Sequence, residues 1–306
     1  MIIAFASLAV FICISQYSNK TQNKVLKPNS IDFPKRPNRI VSLAPNLTEI
    51  LFALGLDKKI IAVSSDSDFP PEAANKKKIG TFWQPNTEAI IAAKPDLVIT
   101  LSSEQQKAVA NSLQRLGYTV SVLKIEKIDD LWSAIQAIGT VTGCKRKANE
   151  LVEYLKNQVN ELKNKYSFAN KLKVLWVVQP EPLRVAGRNT FVNELIDMMG
   201  GENAVGSTIA QYPQIGSEEL LVCGAEVVIQ AAMSEANIHQ QQKAAEAFWM
   251  RYPNLPAVKN NRIYVVNPDI VLRLGPRLPQ GLKTIANCLH PTGPVKRDTN
   301  SAWNIR

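Results

Sequence analysis

Residues 86–100 read Asn-Thr-Glu-Ala-Ile-Ile-Ala-Ala-Lys-Pro-Asp-Leu-Val-Ile-Thr. Asn86 and Thr87 are residue types that cap helix N-termini, and Glu88 in the first turn is favoured by the helix dipole. Pro95 stops the helix. The strand that follows, 96–100, is apolar without alternation, as strands covered on both faces of a parallel sheet are. The unit recurs. Phe82-Trp-Gln-Pro-Asn-Thr-Glu88 leads to Asp96-Leu-Val-Ile99, and Tyr212-Pro-Gln-Ile-Gly-Ser-Glu218 leads to Glu226-Val-Val-Ile229. In both copies an aromatic stands six residues before a Glu, and a Thr or Ser directly before it. An acid eight residues after that Glu opens an apolar triplet. Ser217 is the expected cap of the second copy.

Around these units short apolar runs alternate with amphipathic segments. Strands are expected at 39–43, 59–63, 96–100 and 118–123. Helices are expected from Asn46, where Asn46-Leu-Thr-Glu49 has a capping-box pattern, to Gly55, and at 86–94 and 104–116. The second half repeats the order, with strands at 172–178, 227–230 and 263–266 and helices at 190–199, 217–223 and 280–289. Alternating strands and helices imply a parallel sheet covered by helices.

Between the halves, Cys144 to Tyr166 contains no Gly or Pro, and Ala148, Leu151, Val152, Leu155, Val159, Leu162 and Tyr166 share one helical face. At 1.5 Å per residue this is a rod of roughly 34 Å. It reads as a stiff connector of two lobes, or as a surface helix of one. The expected fold class is therefore α/β, two Rossmann-like lobes with parallel sheets joined by a single long α-helix. The lobes are placed at 36–143 and 169–290 and the connector at 144–168. A stiff connector implies small lobe motion.

The ends differ from this body. Residues 1–14 are almost wholly apolar, too short for a comfortable membrane span and suited to a signal or anchor segment. Basic residues do not precede them, and Val10-Phe11-Ile12 is a poor lipidation context for Cys13. Residues 15–35 read as a tether and 291–306 as a disordered tail. Export to a periplasmic or extracytoplasmic location is the expectation, with anchoring through the N-terminal segment as one form of it.

The chain has 306 residues and a formal net charge of +10. Part of that excess sits in the ends, in Lys20, Lys24, Lys27 and Lys35 and in Lys296, Arg297 and Arg306. The body has no basic run interleaved with aromatics, so nucleic acid is not an expected partner. Cys13, Cys144, Cys223 and Cys288 form no metal-ligand spacing, and no metal or cofactor is expected. No G-x-S-x-G or G-x-G-x-x-G occurs, and Gly139-Thr-Val-Thr-Gly143-Cys-Lys145-Arg146 fails as a phosphate loop in glycine spacing and in lacking Ser or Thr after Lys. The two histidines, His239 and His290, stand near no nucleophile. These absences argue against an enzyme. A cell-surface enzyme would need a clustered nucleophile and base in the cleft, and a scaffold or sensor would show no small-ligand affinity. The two aromatic loops are expected at the carboxyl ends of the strands, where open α/β sheets bind ligands, and facing each other they would make an aromatic-lined cleft with one acid on each lobe.

Several motifs carry a resemblance. They are Arg39-Ile-Val-Ser-Leu-Ala-Pro-Asn-Leu-Thr-Glu-Ile-Leu-Phe-Ala-Leu-Gly55, Ser65-Asp-Ser-Asp-Phe-Pro-Pro71, Lys94-Pro-Asp-Leu-Val-Ile99, Gly200-Gly-Glu-Asn203 and Val258-Lys-Asn-Asn-Arg-Ile-Tyr264. Jointly these resemble the helical-backbone (class III) periplasmic substrate-binding proteins of ABC importers, over about residues 36–290. Asp269-Ile-Val-Leu-Arg273 followed by Pro276-Arg277 is most similar to the cobalamin-binding members. The resemblance implies a monomeric carrier of a cobalamin-type corrinoid, with a haem or iron-siderophore ligand as the alternative. It implies that Phe82 and Tyr212 stack on the ligand and that Asp269 and Arg273 touch it. Trp83 adds aromatic surface or packs its own loop. It further implies that Glu88 and Glu218, one per lobe, dock on a membrane permease. Asp66 stands where those proteins have a Tyr contact, Leu101 where they have a Trp, and Met199 where they have one cysteine of a disulfide. A local Asp269–Arg273 salt bridge that does not touch the ligand is the plain alternative for that pair.

Overall fold

The computed structural model describes residues 36–166, 171–233 and 237–291. The expectations for residues 1–14, 15–35 and 292–306, including Cys13, lie outside the described residues. The first lobe holds β1 (Ile40–Ser42), β2 (Ile60–Val63), β3 (Lys77–Lys78), β4 (Leu97–Leu101) and β5 (Val120–Leu123). Their order is β3-β2-β1-β4-β5 and every pair is parallel. Between and after them run α1 (Pro45–Ala53), α2 (Pro71–Ala74), α3 (Thr87–Ala92), α4 (Glu104–Arg115) and α5 (Ile128–Val141). The uniform apolar run at 97–99 is fully buried, which is why it does not alternate.

The connector is α6 (Lys145–Tyr166), whose 22 residues span roughly 33 Å. Ala148, Val152, Leu155 and Val159 are its buried stripe. The second lobe follows with β6 (Leu172–Gln179), β7 (Arg184–Val185), α7 (Phe191–Met198), β8 (Gly201–Asn203), α8 (Ser217–Cys223) and β9 (Val227–Ala231). Then come α9 (Ile238–Trp249), α10 (Pro256–Lys259), β10 (Ile263–Val266), α11 (Pro268–Val271) and α12 (Leu278–Leu289). In its sheet β10, β9 and β6 are consecutive and parallel, and β8 and β7 share the other edge of β6. The β6–β7 pair is antiparallel, a departure from the all-parallel expectation. Only residues 180–183 join these strands, too few for a parallel crossover.

Helix α6 packs on α5 in the first lobe and on α12 and α7 in the second. Tyr166 at its end stacks on His290, ring centroids 4.8 Å apart. The failed phosphate-loop lookalike is explained here. Gly139 lets α5 lie against Ala148 of α6, and Gly143 turns the chain at φ +74°.

The echoed acids prove structural. Asp96 accepts from the backbone N–H groups of Asn38 and Arg39, both at 2.9 Å, and Glu226 accepts from that of Lys173 at 2.9 Å. Each pins the entry to a central strand of its own sheet. The two helix starts differ. Asn86 caps α3 through its carboxamide oxygen, which accepts from Ala89 N–H at 2.9 Å. Ser217 is already helical, and Glu219 instead accepts from Gly216 N–H at 2.8 Å. Asn86→Ala is therefore expected to cost about 1 kcal/mol of stability. Ser217→Ala should cost close to nothing, and equal shifts in the urea midpoint would contradict the difference.

Candidate functional site

The Asn46–Glu49 spacing does not form a capping box. The N-cap of α1 is Ala44, and both side chains are buried and turn to the second lobe. Asn46 Nδ2 donates to Leu274 O at 3.0 Å. Glu49 accepts two bonds from Arg277, Nη2 to Oε1 at 2.7 Å and Nε to Oε2 at 3.0 Å. Burial pushes the Glu49 carboxyl above the usual carboxylate range, and the hydrogen bond and charge of Arg277 offset only part of that. A further bond joins the lobes where Ile128 N–H donates to Glu194 Oε2 at 3.0 Å.

Next to this seam the loop after β2 is fixed by buried hydroxyls. Thr48 Oγ1 bonds Ser42 Oγ at 2.8 Å and Ser67 Oγ at 3.0 Å, and Ser67 bonds Ser64 at 2.9 Å. Lys78 Nζ donates to Ser67 O at 2.6 Å and Ala73 O at 3.1 Å, and desolvation holds its pKa below the ordinary value against the pull of Asp68 and Asp66. The loop so anchored presents Asp66 and Asp68. Asp66 Oδ2 accepts from Phe82 N–H at 2.6 Å. Asp68 accepts from Arg273 Nη1 at 2.7 Å, while Arg273 Nη2 lies 2.5 Å from Asp269 Oδ1. Burial pushes the Asp68 carboxyl up, but the hydrogen bond and charge of Arg273 outweigh it and hold the group below its usual range.

These residues surround a cavity of about 300 Å³ lined by Pro45, Asn46, Asp66, Phe82, Trp83, Leu101, Ile125, Phe191, Leu272, Arg273 and Leu274. It lies where β1, β2, β4 and β5 end at their carboxyl ends, the place where open α/β sheets bind ligands. The second lobe faces it with Phe191 and with residues 272–274. A more open hollow of about 700 Å³ lies beside α1 and α2, lined by Glu49, Phe52, Phe69 and Lys76 among others. It includes none of the expected site residues.

Four of the expected residues, Asp66, Phe82, Trp83 and Arg273, meet at the smaller cavity. Asp269 reaches it through Arg273. Tyr212 is not among the residues lining it. It is 39% exposed, and desolvation raises its phenol above the ordinary value. Phe82 and Trp83 pack edge to face, 4.9 Å between centroids at 82°, and Trp83 is 65% exposed. Leu101 ends β4 at the cavity, and Ile125 lies two residues beyond the end of the adjacent β5. Phe191, at the first turn of α7, is a lining aromatic that the sequence reading missed, because an apolar residue at a helix start reads as core. Glu88 and Glu218 are both exposed in the first turns of α3 and α8, and neither makes an ion pair among the described residues.

The geometry is that of two lobes holding an aromatic and apolar slot between them, with one matched arginine at its rim. The family model for periplasmic binding proteins matches residues 40–270. Over 269 residues, 85% of this chain and 82% of the relative, the chain is 29% identical to YvrC of Bacillus subtilis, an uncharacterised ABC transporter substrate-binding lipoprotein. Over 243 residues, 78% of this chain and 84% of the relative, it is 30% identical to the vitamin B12-binding protein of Vibrio parahaemolyticus. A solved structure of a possible iron-binding (periplasmic solute-binding) protein from Staphylococcus epidermidis aligns with a TM-score of 0.75 at 28% identity, covering 84% of this chain and 100% of that one. The chain belongs to the periplasmic binding protein family, whose members bind a transported ligand rather than a cofactor and are not enzymes.

Proposed function

We propose that this chain is the extracytoplasmic solute-binding protein of an ABC importer, working as a monomer, and that it captures a cobalamin-type corrinoid in the cleft between its lobes. Residues 36–143 and 169–290 form the clamp. Phe82, Trp83 and Phe191 offer aromatic surface to the macrocycle, and Tyr212 extends it outside the cavity. Asp66, Asp269 and Arg273 hydrogen-bond its amide side chains. Glu88 and Glu218 dock on the permease, where exposed charges give orientation and speed of association. The N-terminal segment exports the chain or anchors it.

The observation that carries the ligand class is the state of Arg273. Its guanidinium is already matched by Asp68 and Asp269, and among the described residues it is the one basic residue lining the cavity. Two carboxylates already balance the charge of that guanidinium, which weakens its pull on an anionic ligand, whereas an amide-rich corrinoid is served by the carboxylate acceptors and remaining N–H donors as they stand. The iron-binding description of the Staphylococcus relative favours a second reading, a haem or ferric siderophore. Titration of the purified chain with cyanocobalamin, haemin and a ferric siderophore separates the two. Saturable cyanocobalamin binding that weakens on Arg273→Ala or Tyr212→Ala is expected. Binding of haemin or the siderophore alone would retain the importer role and remove the corrinoid.

A further inference from the structure

Gln106 lies in α4, in the run Glu104-Gln-Gln-Lys107 that reads as a solvated helix face, yet it is fully buried. A buried amide is costly unless its donors and acceptor are bonded, and here all are used. Nε2 donates to Leu43 O at 3.0 Å and to Phe82 O at 2.8 Å. Oε1 accepts from the Thr100 hydroxyl. One side chain thus joins the end of β1, the end of β4 and the loop that carries the cleft aromatics. On the other side of the same residue, Phe82 N–H donates to Asp66 at 2.6 Å. Both polar backbone groups of Phe82 are therefore held by side chains from other elements. The base of its loop is tied separately, by Asn86 N–H to Ile79 O at 2.9 Å and by the Gly80–Pro85 bridge.

We propose that Gln106 is a positioning residue for ligand capture. With Asp66 it clamps the Phe82 peptide from both sides and so sets the aromatic wall formed by Phe82 and Trp83. A methionine there would fill much the same space but would leave Leu43 O, Phe82 O and the Thr100 hydroxyl without that partner, and of these Phe82 O alone belongs to the cleft loop. This inference rests on the reading of the cleft as the ligand site.

The test uses the full chain with Gln106→Met and, as a control for lost stability alone, Leu113→Ala, which empties a fully buried site on the same helix. In the unliganded protein, amide exchange across residues 80–87 should accelerate about tenfold in Gln106→Met and remain as in the parent in Leu113→Ala, both measured well below their melting temperatures. Affinity for cyanocobalamin should fall about tenfold in the first and hold in the second, the scale of one or two lost hydrogen bonds. Unchanged exchange in Gln106→Met, or faster exchange with unchanged affinity, would overturn the proposal. So would equal losses of affinity in both variants. A parent chain that binds neither cyanocobalamin nor haemin removes the ligand reading instead, and the clamp then stands or falls on the exchange rates alone.

Discussion

Replacing Arg277 with Met is expected to destabilise the protein by about 3–5 kcal/mol, the cost of leaving a buried charge without its partner. Glu49 and Arg277 side chains are 2% and 10% exposed, so little solvent is at hand to take the place of the guanidinium. The carboxylate is left facing an apolar side chain, among groups supplied by both lobes. Arg277 also lies over the Phe69 ring at 4.2 Å, and the substitution removes that cation–π interaction as well. The double variant Glu49→Leu/Arg277→Met should recover most of the loss, because a buried pair gains little over apolar groups of similar volume. Urea denaturation of the parent, the single and the double variant measures all three. A single-variant cost under about 1 kcal/mol would mean that solvent reaches the pair and that the lobes part easily there.

The pH dependence of that variant has a definite sign. Burial already raises Glu49 above its ordinary value of 4.5, and Arg277 supplies the main opposing pull. Without Arg277 the folded-state pKa rises further while the unfolded value stays put. A raised folded pKa favours the fold below the unfolded value and loses that favour as pH climbs through the folded one. The deficit of Arg277→Met should therefore be largest near neutrality and shrink on acidification toward 4.5. Asp68 behaves oppositely. Its depressed pKa means that its link to Arg273 persists down to and below the ordinary value of 3.8 and is lost only under stronger acid. The Glu49 pair, the Asp68 bridge and the stiff α6 together argue for small lobe motion on ligand capture.

Which of these features were legible beforehand follows sequence distance. The Asn86 cap, the buried stripe of α6 and the echoed helix–strand units depend on residues within one or two turns of each other, and pattern alone places them. Glu49 could not be read that way. Three residues from Asn46, it matches a local capping pattern, while its real partner stands 228 positions on. Arg273 shows the same split. Its i,i+4 partner Asp269 is visible in the sequence, but Asp68, 205 positions away, is not. Gln106 and Phe191 were missed for complementary reasons. A polar residue in a polar run reads as surface and an apolar one in an apolar helix reads as core, and each has the other environment because of what the opposing loop or lobe brings to it.

Trp83→Ala should separate function from stability in the other direction. The side chain is 65% exposed in the free protein, and the ring it packs on is Phe82, itself held by its own backbone bonds. Truncating it empties no core site, so the change in stability should stay within about 0.5 kcal/mol. A large aromatic left half in water at the mouth of an apolar slot gains most of its burial when a ligand arrives. Anchors of this kind cost about 2 kcal/mol or more when truncated, which is roughly a 30-fold loss of affinity. Calorimetric titration with cyanocobalamin, alongside thermal melts of parent and variant, reads both quantities. Unchanged affinity would mean that Trp83 merely packs its own loop and that Phe82 and Phe191 carry the aromatic contact. An equal fall in stability and affinity would mean that the ring supports the lobe rather than the ligand. The expected pattern, an intact melt with a weakened isotherm, is the mirror image of Arg277→Met, and the two together would locate the fold's rigidity in the interlobe seam and its affinity in the slot beside it.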